Sequence, residues 1–261
     1  MLNTISILTA LSLAIFYPFC FLIHARSPIK GGFHRFHLGL PLVVGGVVFI
    51  SLLIDSISPL TKRLLTMWFF SFAFVTFFYW KKESLHTGAI VPVPLLGLFA
   101  FARTQSELLH YPLEGHFSLA MIGILAGLIL YASLHAMMLG HHYLNAKGLP
   151  MKHLRWANAV LWSLLGLRIL WDIYFLFYGK ILYEGDQIAL VHFLMRLEGF
   201  LLWIGIFFGT LLPFIALFFV REILKLKNTQ AATGLLYVVL CSVLMGDLAY
   251  KYYLVKFGVA L

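Results

Sequence analysis

Charge is scarce in this sequence: Asp, Glu, Lys and Arg make up only 11% of the 261 residues, whereas 62% are hydrophobic. Soluble domains carry about 25% charged and about 45–50% apolar residues. The composition therefore excludes a soluble globular enzyme and a disordered chain. Acidic residues number 10 against 19 basic ones, but the basic residues are too scattered for a surface that binds nucleic acid. Cysteine is nearly absent, and the distant Cys20 and Cys241 exclude a disulfide framework.

Long apolar runs fill most of the chain. A helix needs about 20 apolar residues to cross a bilayer. Runs of this kind fall at residues 3–24, 36–58, 63–80, 86–103, 116–140, 153–179, 188–220 and 231–257. The first run is too long for the core of a signal peptide, so we expect it to be a span. We predict an all-α polytopic membrane bundle of about eight transmembrane helices, built as one domain over residues 1–261.

Basic residues between the runs predict the orientation, because cytoplasmic loops are enriched in lysine and arginine. The odd-numbered loops are the more basic ones: they carry Arg26, Lys30, Arg35, Lys81, Lys82, Lys147, Lys152, Arg155, Arg221, Lys225 and Lys227. We therefore expect the odd loops to be cytoplasmic and both termini to face outside, although Lys62 and Arg63 in the second loop favour the opposite orientation.

Small residues and prolines within the runs predict local packing. Pairs of glycines four residues apart favour close helix contacts, and a proline frees a carbonyl that needs another partner. The residues concerned are Gly123, Gly127, Gly205 and Gly209, together with Pro92, Pro94 and Pro213.

Charged residues inside the last three runs are the strongest functional signal, because a charge deep in a membrane costs at least about 2.5–3.5 kcal/mol. Three pairs are spaced i,i+4 and should each share a helix face: Arg168 with Asp172, His192 with Arg196, and Asp247 with Lys251. Glu198 lies two residues beyond Arg196 and should point elsewhere. All three pairs are expected in the outer half of the membrane, where they could converge on one polar pocket.

A quinone head group fits the chemistry of such a pocket. Its carbonyls need hydrogen-bond donors, for which Arg168, His192, Arg196 and Lys251 are candidates, and Trp171 would supply a flat apolar wall. Acids must move the protons, and Asp172, Glu198 and Asp247 are the candidates for that role. Two alternatives stay open. The pairs could be purely structural, or the same residues could serve an ion or solute transporter.

The end of the last run reads Gly246-Asp247-Leu248-Ala249-Tyr250-Lys251 and continues to Gly258. This segment resembles the closing helix of the polysulfide-reductase-type (NrfD-like) quinol-interacting membrane subunits, where a glycine precedes a basic residue, an apolar stretch and a second glycine. Lys251 stands where that family usually has arginine, and the family's first-helix pattern has no counterpart here. The resemblance implies a haem-free subunit of a hetero-oligomeric complex in a prokaryotic inner membrane. Such a subunit exchanges electrons between menaquinol or ubiquinol and a peripheral iron–sulfur or cytochrome c partner.

Histidines form a second candidate site on the opposite, cytoplasmic side. His135 and His142 share a helix face, and His34 shares another with His37. Because neutral imidazole is the commonest metal ligand, we take His37, His135 and His142 as candidate ligands. A b-type haem bound by His37 and His135 is a secondary hypothesis, and a di-iron oxygenase or desaturase is a third, although its histidine boxes are not reproduced. The structural alternative is that these are histidines at the lipid–water interface.

Overall fold

The computed structural model describes residues 1–24, 31–82, 86–109, 116–146 and 149–261, and most of them are helical. The first helices are α1 (Leu2–Phe16), a 3-10 turn (Tyr17–Cys20), α2 (Phe21–His24), α3 (Gly31–Ile54), α4 (Pro59–Tyr79), α5 (Thr87–Ile90) and α6 (Pro92–Leu109). The later elements are α7 (His116–Asn145), α8 (Lys152–Tyr178), β1 (Lys180–Tyr183), β2 (Asp186–Ala189) and α9 (Leu190–Leu194). A 3-10 turn (Leu197–Gly199), α10 (Phe200–Ile206), a π turn (Phe207–Leu211), α11 (Leu212–Lys225) and α12 (Thr229–Phe257) follow.

Seven segments within the described ranges are long and apolar enough to cross a membrane: Leu2–Phe19, Gly32–Ile54, Gly88–Leu109, Phe117–Asn145, Lys152–Tyr178, Leu197–Lys225 and Thr229–Phe257. The chain is therefore an all-α, polytopic integral membrane protein, as its composition predicts. The apolar run predicted at 63–80 forms α4, which has 21 residues but is not among these seven. Its apolar character is diluted by Lys62, Arg63 and several hydroxyl side chains.

The predicted orientation stays a prediction. Three of the basic residues on which it depends, Arg26, Lys30 and Lys147, lie outside the described residues. Among the others, Arg155 falls within the first turn of α8 and Lys225 ends α11.

Contacts divide the chain into two compact units. The N-terminal unit comprises Ser6–Tyr131 with Ala146–His153, and the C-terminal unit comprises Met1–Ile5, Ala132–Asn145 and Leu154–Leu261. A single domain over residues 1–261 would require these two units to pack together, and this stays a prediction.

Glycines bring helices close together inside the N-terminal unit. Gly123 lies against the side chain of Gln105, and Gly127 lies against the ring of Phe16, so that any side chain at either glycine would overlap its neighbour. The prediction of close contact at this glycine pair is confirmed.

A half-buried acid organises one end of the same unit. Glu107 near the end of α6 accepts hydrogen bonds from the backbone N–H of Ser58 at 2.8 Å and from Thr61 Oγ1 at 2.7 Å. Arg103, one helical turn before Glu107, completes the set with an ion pair of 3.0 Å. Because Ser58 is the N-cap of α4, these bonds tie the start of α4 to the end of α6.

A hairpin separates α8 from the next spanning helix in the C-terminal unit. β1 and β2 pair antiparallel around Glu184 and Gly185, both of which have positive φ, as a two-residue hairpin turn requires. Ile181 of β1 is buried in an apolar cluster with residues of α9, α10 and α12. Gly258 ends α12 in the left-handed conformation, and Leu261 packs into the same cluster.

Candidate functional site

Two of the predicted charge pairs lie deep in the C-terminal unit. Arg168 and Asp172 on α8 are 2% and 3% exposed, and Asp247 and Lys251 on α12 are 6% and 7% exposed. The pairs also match in depth. Arg168 and Asp247 lie ten residues before the ends of their helices, and Asp172 and Lys251 lie six before them. At 1.5 Å per residue, these positions are about 15 Å and about 9 Å from the helix ends.

Asp172 is the acceptor on which three side chains converge. Arg168 donates from Nε to Oδ1 at 3.0 Å. Thr210 donates from Oγ1 to Oδ2 at 3.0 Å, and Tyr250 donates from its hydroxyl to the same oxygen at 2.8 Å. The two hydroxyls are themselves 2.9 Å apart. The carboxylate therefore joins α8, the π turn and α12 through one hydrogen-bonded group.

Arg168 is fixed from two directions. Its guanidinium carbon lies 3.9 Å from the centroid of the Tyr250 ring, which is a cation–π contact, while Nε binds Asp172. Within the described residues, the buried Nη2 of Arg168 has no hydrogen-bond partner. The site thus contains a fixed, buried cationic donor for which the described part of the chain provides no acceptor.

The second pair is complete on one helix. Lys251 Nζ donates to Asp247 Oδ1 at 2.6 Å and also contacts the other carboxylate oxygen. Lys251 directly follows Tyr250 on α12, and the Tyr250 hydroxyl donates to Asp172 of the first pair. We call these six residues the charged cluster: Arg168, Asp172, Thr210, Asp247, Tyr250 and Lys251. Two cations and two anions give it a formal charge of zero.

The π turn places Thr210 in the cluster. The wider turn between Phe207 and Leu211 changes the direction in which the following side chains project. Such π turns are frequent at functional sites. Pro213 follows and cannot donate a backbone hydrogen bond. Ser242 of α12 donates to the carbonyl of Phe208 at 2.5 Å. The expectation that a neighbouring helix supports the chain around Pro213 is therefore confirmed.

Close backbone packing also holds the π turn against α12. A Cβ atom on Gly209 would lie 2.8 Å from the Cα of Gly246, and one on Gly205 would lie 3.2 Å from Ala249. The predicted contact at the glycine pair Gly205 and Gly209 is confirmed. Its consequence is that Tyr250, one turn beyond Gly246, reaches Thr210 directly.

The third predicted charge pair does not join the cluster. His192 lies on the short helix α9, which ends at Leu194, and Arg196 has an extended backbone before the next turn. The two residues therefore do not share one helix face, and both are exposed. The expectation was wrong because the spanning helix begins at Leu197 and not near residue 188. Glu198 is exposed as well.

Arg196 and Glu198 lie beside the hairpin. Arg196 forms a 3.9 Å ion pair with Glu184, and its guanidinium carbon lies 4.7 Å from the centroid of the Tyr183 ring. Desolvation, with the negative charges of Glu184 and Glu198, raises the pKa of the Tyr183 phenol above its ordinary value. The carbonyl of Glu198 accepts a hydrogen bond from the Tyr253 hydroxyl, so Glu198 anchors α12 through its backbone.

Trp171 makes structural contacts, and its predicted role as a flat wall of the quinone site stays a prediction. Its indole Nε1 donates to the carbonyl of Ala260 at 3.0 Å, and its ring stacks on Phe175 at 5.1 Å. These contacts attach the segment after α12 to α8. Trp171 is thus adjacent to Asp172 in the chain but has its polar atom engaged elsewhere.

The candidate metal ligands lie in different units. His37 belongs to the N-terminal unit, where its Nδ1 is 2.5 Å from the Tyr17 hydroxyl and its ring packs on Phe33 at 3.9 Å between centroids. His135 and His142 belong to the C-terminal unit, and His135 is fully buried. In the part of the chain that the structure describes, no group of three or more His, Cys, Asp or Glu side chains could hold a metal ion. A centre with that many ligands therefore does not fit the described residues, and a two-histidine haem site stays a prediction.

Compared with known protein families, curated proteins and solved structures, this chain matches none. The similarity of α12 to NrfD-like subunits stays a prediction from sequence. Sequence reasoning identified the four charged members of the charged cluster, but it assigned Tyr250 no hydrogen bond to Asp172 and missed Thr210, which is neutral. The signal that could have indicated it is its position between Gly209 and Pro213, where a spanning helix is expected to bend.

Proposed function

We propose that this protein is an integral membrane subunit of a respiratory electron-transfer complex and that its charged cluster binds the head group of a quinone or quinol. The observation that carries the proposal is Arg168 Nη2, a buried donor with no hydrogen-bond partner among the described residues. An unsatisfied buried donor costs about 1–3 kcal/mol, and more when charged. A ligand carbonyl oxygen at this position would remove that cost.

The neighbouring groups suit the protons of the reaction. A quinone takes up two electrons and two protons when it becomes a quinol, and a peripheral redox partner would exchange the electrons. Asp172 is a carboxylate that can hold a proton, and the Tyr250 and Thr210 hydroxyls bonded to it can pass one along. Arg168 stays charged throughout, so it can orient the ligand while Asp172 gains or loses a proton.

The proposal is tested by titrating the purified protein with a short-chain ubiquinone or a menaquinone analogue. Quenching of tryptophan fluorescence reports the binding. Arg168→Lys keeps a positive charge near Asp172 but removes the planar guanidinium, and with it the Nη2 donor that would bind the ligand. We expect it to weaken binding by about tenfold or more, because a hydrogen bond to a charged group is worth about 1.5–3 kcal/mol.

Arg103→Lys is the matched control. Arg103 also forms an i,i+4 ion pair, with Glu107, but its side chain is 46% exposed and it belongs to the other unit. The control should bind both quinones as the wild type does. Unsaturable quenching, or equal affinity in the Arg168→Lys variant, would contradict the proposal.

A proton-coupled transporter is the second candidate, because the π turn and Pro213 interrupt a spanning helix at the level of the charged cluster. Interrupted helices at the midplane line binding sites in many transporters. Proteoliposomes with a pH-sensitive dye inside distinguish the two functions. A transporter predicts solute-dependent proton flux that Asp172→Asn abolishes, whereas a quinone-binding subunit predicts no flux without a redox partner.

A further inference from the structure

A cavity opens between α8 and α11 at the opposite end of these helices from the hairpin. It has a volume of about 420 Å³, within the range of small-molecule sites. Its lining consists of Arg155, Asn158, Ala159 and Trp162 of α8 with Arg221, Leu224 and Lys225 of α11. Its α8 lining begins at Arg155, in the first turn, and reaches Trp162, which lies ten residues, or about 15 Å, from the start of that helix.

The mouth of the cavity is positively charged. Arg155, Arg221 and Lys225 contribute three cations, and Glu222, which pairs with Lys225 at 2.7 Å, contributes one anion. Arg155 is held in place by a 3.3 Å hydrogen bond from Nη2 to the carbonyl of Leu224. Arg221 takes part in no ion pair within the described ranges, and its guanidinium carbon lies 5.9 Å from the Trp162 ring centroid.

The deeper part is apolar but contains two buried polar atoms. Asn158, 3% exposed, donates from Nδ2 to the carbonyl of Leu217 at 3.4 Å, while its Oδ1 has no hydrogen-bond partner among the described residues. The indole Nε1 of Trp162 is likewise buried without a partner in that part of the chain. Phe214 packs against the Trp162 ring at 5.4 Å between centroids. The site thus has cations at its mouth, one acceptor and one donor below them, and an apolar floor.

We propose that this cavity binds an anionic phospholipid whose head group carries a hydroxyl, such as phosphatidylglycerol. The phosphate lies among Arg155, Arg221 and Lys225, because guanidinium groups recognise phosphate oxygens by charge-assisted hydrogen bonds. The head-group hydroxyl donates to Asn158 Oδ1, an ester oxygen accepts from Trp162 Nε1, and acyl chains follow the apolar floor. Basic pockets between spanning helices suit anionic head groups.

Native mass spectrometry of the detergent-solubilised protein tests this inference, with short-chain phosphatidylglycerol and phosphatidylcholine as probes. We expect one phosphatidylglycerol to bind per chain in preference to phosphatidylcholine. The double variant Arg221→Gln/Lys225→Gln should lower that affinity by about tenfold or more, since it removes two charged donors. Lys152→Gln removes one cation from the same end of α8 without touching the cavity, and it should bind within about twofold of the wild type.

A second variant tests the cavity without changing its charge. Ala159 is exposed at the cavity wall, so Ala159→Phe should fill the space, leave folding intact and exclude the lipid. The inference is overturned if phosphatidylglycerol binds the double variant as it binds the wild type, or if Ala159→Phe leaves binding unchanged. If inorganic phosphate at millimolar concentration displaces the lipid from the wild type, the lipid assignment is wrong and the cations serve a soluble phosphate.

Discussion

Removing the charge of Asp172 should destabilise the protein more than removing the charge of its partner Arg168. Asp172→Asn leaves a guanidinium buried at 2% exposure without its counter-ion, and a guanidinium cannot neutralise itself by losing a proton. Breaking a buried pair in this way costs about 3–5 kcal/mol. Arg168→Met leaves a carboxyl group that can take up a proton and keeps the donors Thr210 and Tyr250. Its cost should be about 1–3 kcal/mol.

The double variant Arg168→Met/Asp172→Asn gives the decisive comparison. It contains no buried charge at this position, and the amide oxygen of the new asparagine can accept from both hydroxyls. Adding Arg168→Met to Asp172→Asn should therefore restore about 2 kcal/mol of unfolding free energy, because coupled neighbours are not additive. Reversible unfolding by sodium dodecyl sulfate, followed by far-UV circular dichroism, measures all three variants.

Glu222→Gln is the control for this cycle. It removes the acid of an ion pair with Lys225 whose side chains are 43% and 56% exposed, and it should cost less than about 1 kcal/mol. The reasoning is refuted if Asp172→Asn is milder than Arg168→Met, or if the double variant is as unstable as Asp172→Asn alone.

Three further experiments test other parts of the structure. Arg196→Ala should change the unfolding free energy by less than about 1 kcal/mol and leave quinone affinity unchanged, because its ion pair is long and exposed. A large loss of stability or of quinone affinity would show that Arg196 belongs to the quinone site. Gly246→Ala should cost about 1–3 kcal/mol, since its Cβ would overlap the π turn, whereas Gly234→Ala on the same helix meets open space and should be neutral or slightly stabilising; equal unfolding free energies for the two would contradict the close packing. His135→Ala should erase any haem or metal signal from the reduced-minus-oxidised spectrum of the purified protein, and an unaltered signal would exclude His135 as a ligand.

Residue spacing predicted part of the charged cluster because an i,i+4 pair within a regular helix must share a face. Arg168 with Asp172, and Asp247 with Lys251, satisfy that condition, since α8 and α12 are continuous over both pairs. The same rule was wrong for His192 and Arg196 because the helix ends between them. The apolar run at 188–220 does not reveal that helix end. Its first apolar residues pack into the apolar cluster around Ile181, and only the later ones span the membrane.

The partners of the cluster were harder to predict because they are neutral and distant in sequence. Tyr250 is an uncharged aromatic residue beside Lys251, and Thr210 carries no charge either. Their positions depend on the π turn and on the contact between Gly209 and Gly246, which joins residues far apart in the chain. Periodicity describes one helix at a time, so it can identify the faces that carry charge but not the helix that each face meets.

The two ion pairs differ in a way that separates a structural role from a binding role. Both oxygens of Asp247 contact Lys251 on the same helix, so that pair neutralises itself and needs no ligand. Asp172 is also saturated, but Arg168 is not, because its Nη2 has no hydrogen-bond partner among the described residues. Stability alone does not require such a donor, since apolar residues of similar volume often replace a buried ion pair at no net cost. A binding role gives the donor a use, and it predicts that Arg168→Lys loses quinone affinity, whereas Lys251→Arg, which keeps a cation next to Asp247, retains it.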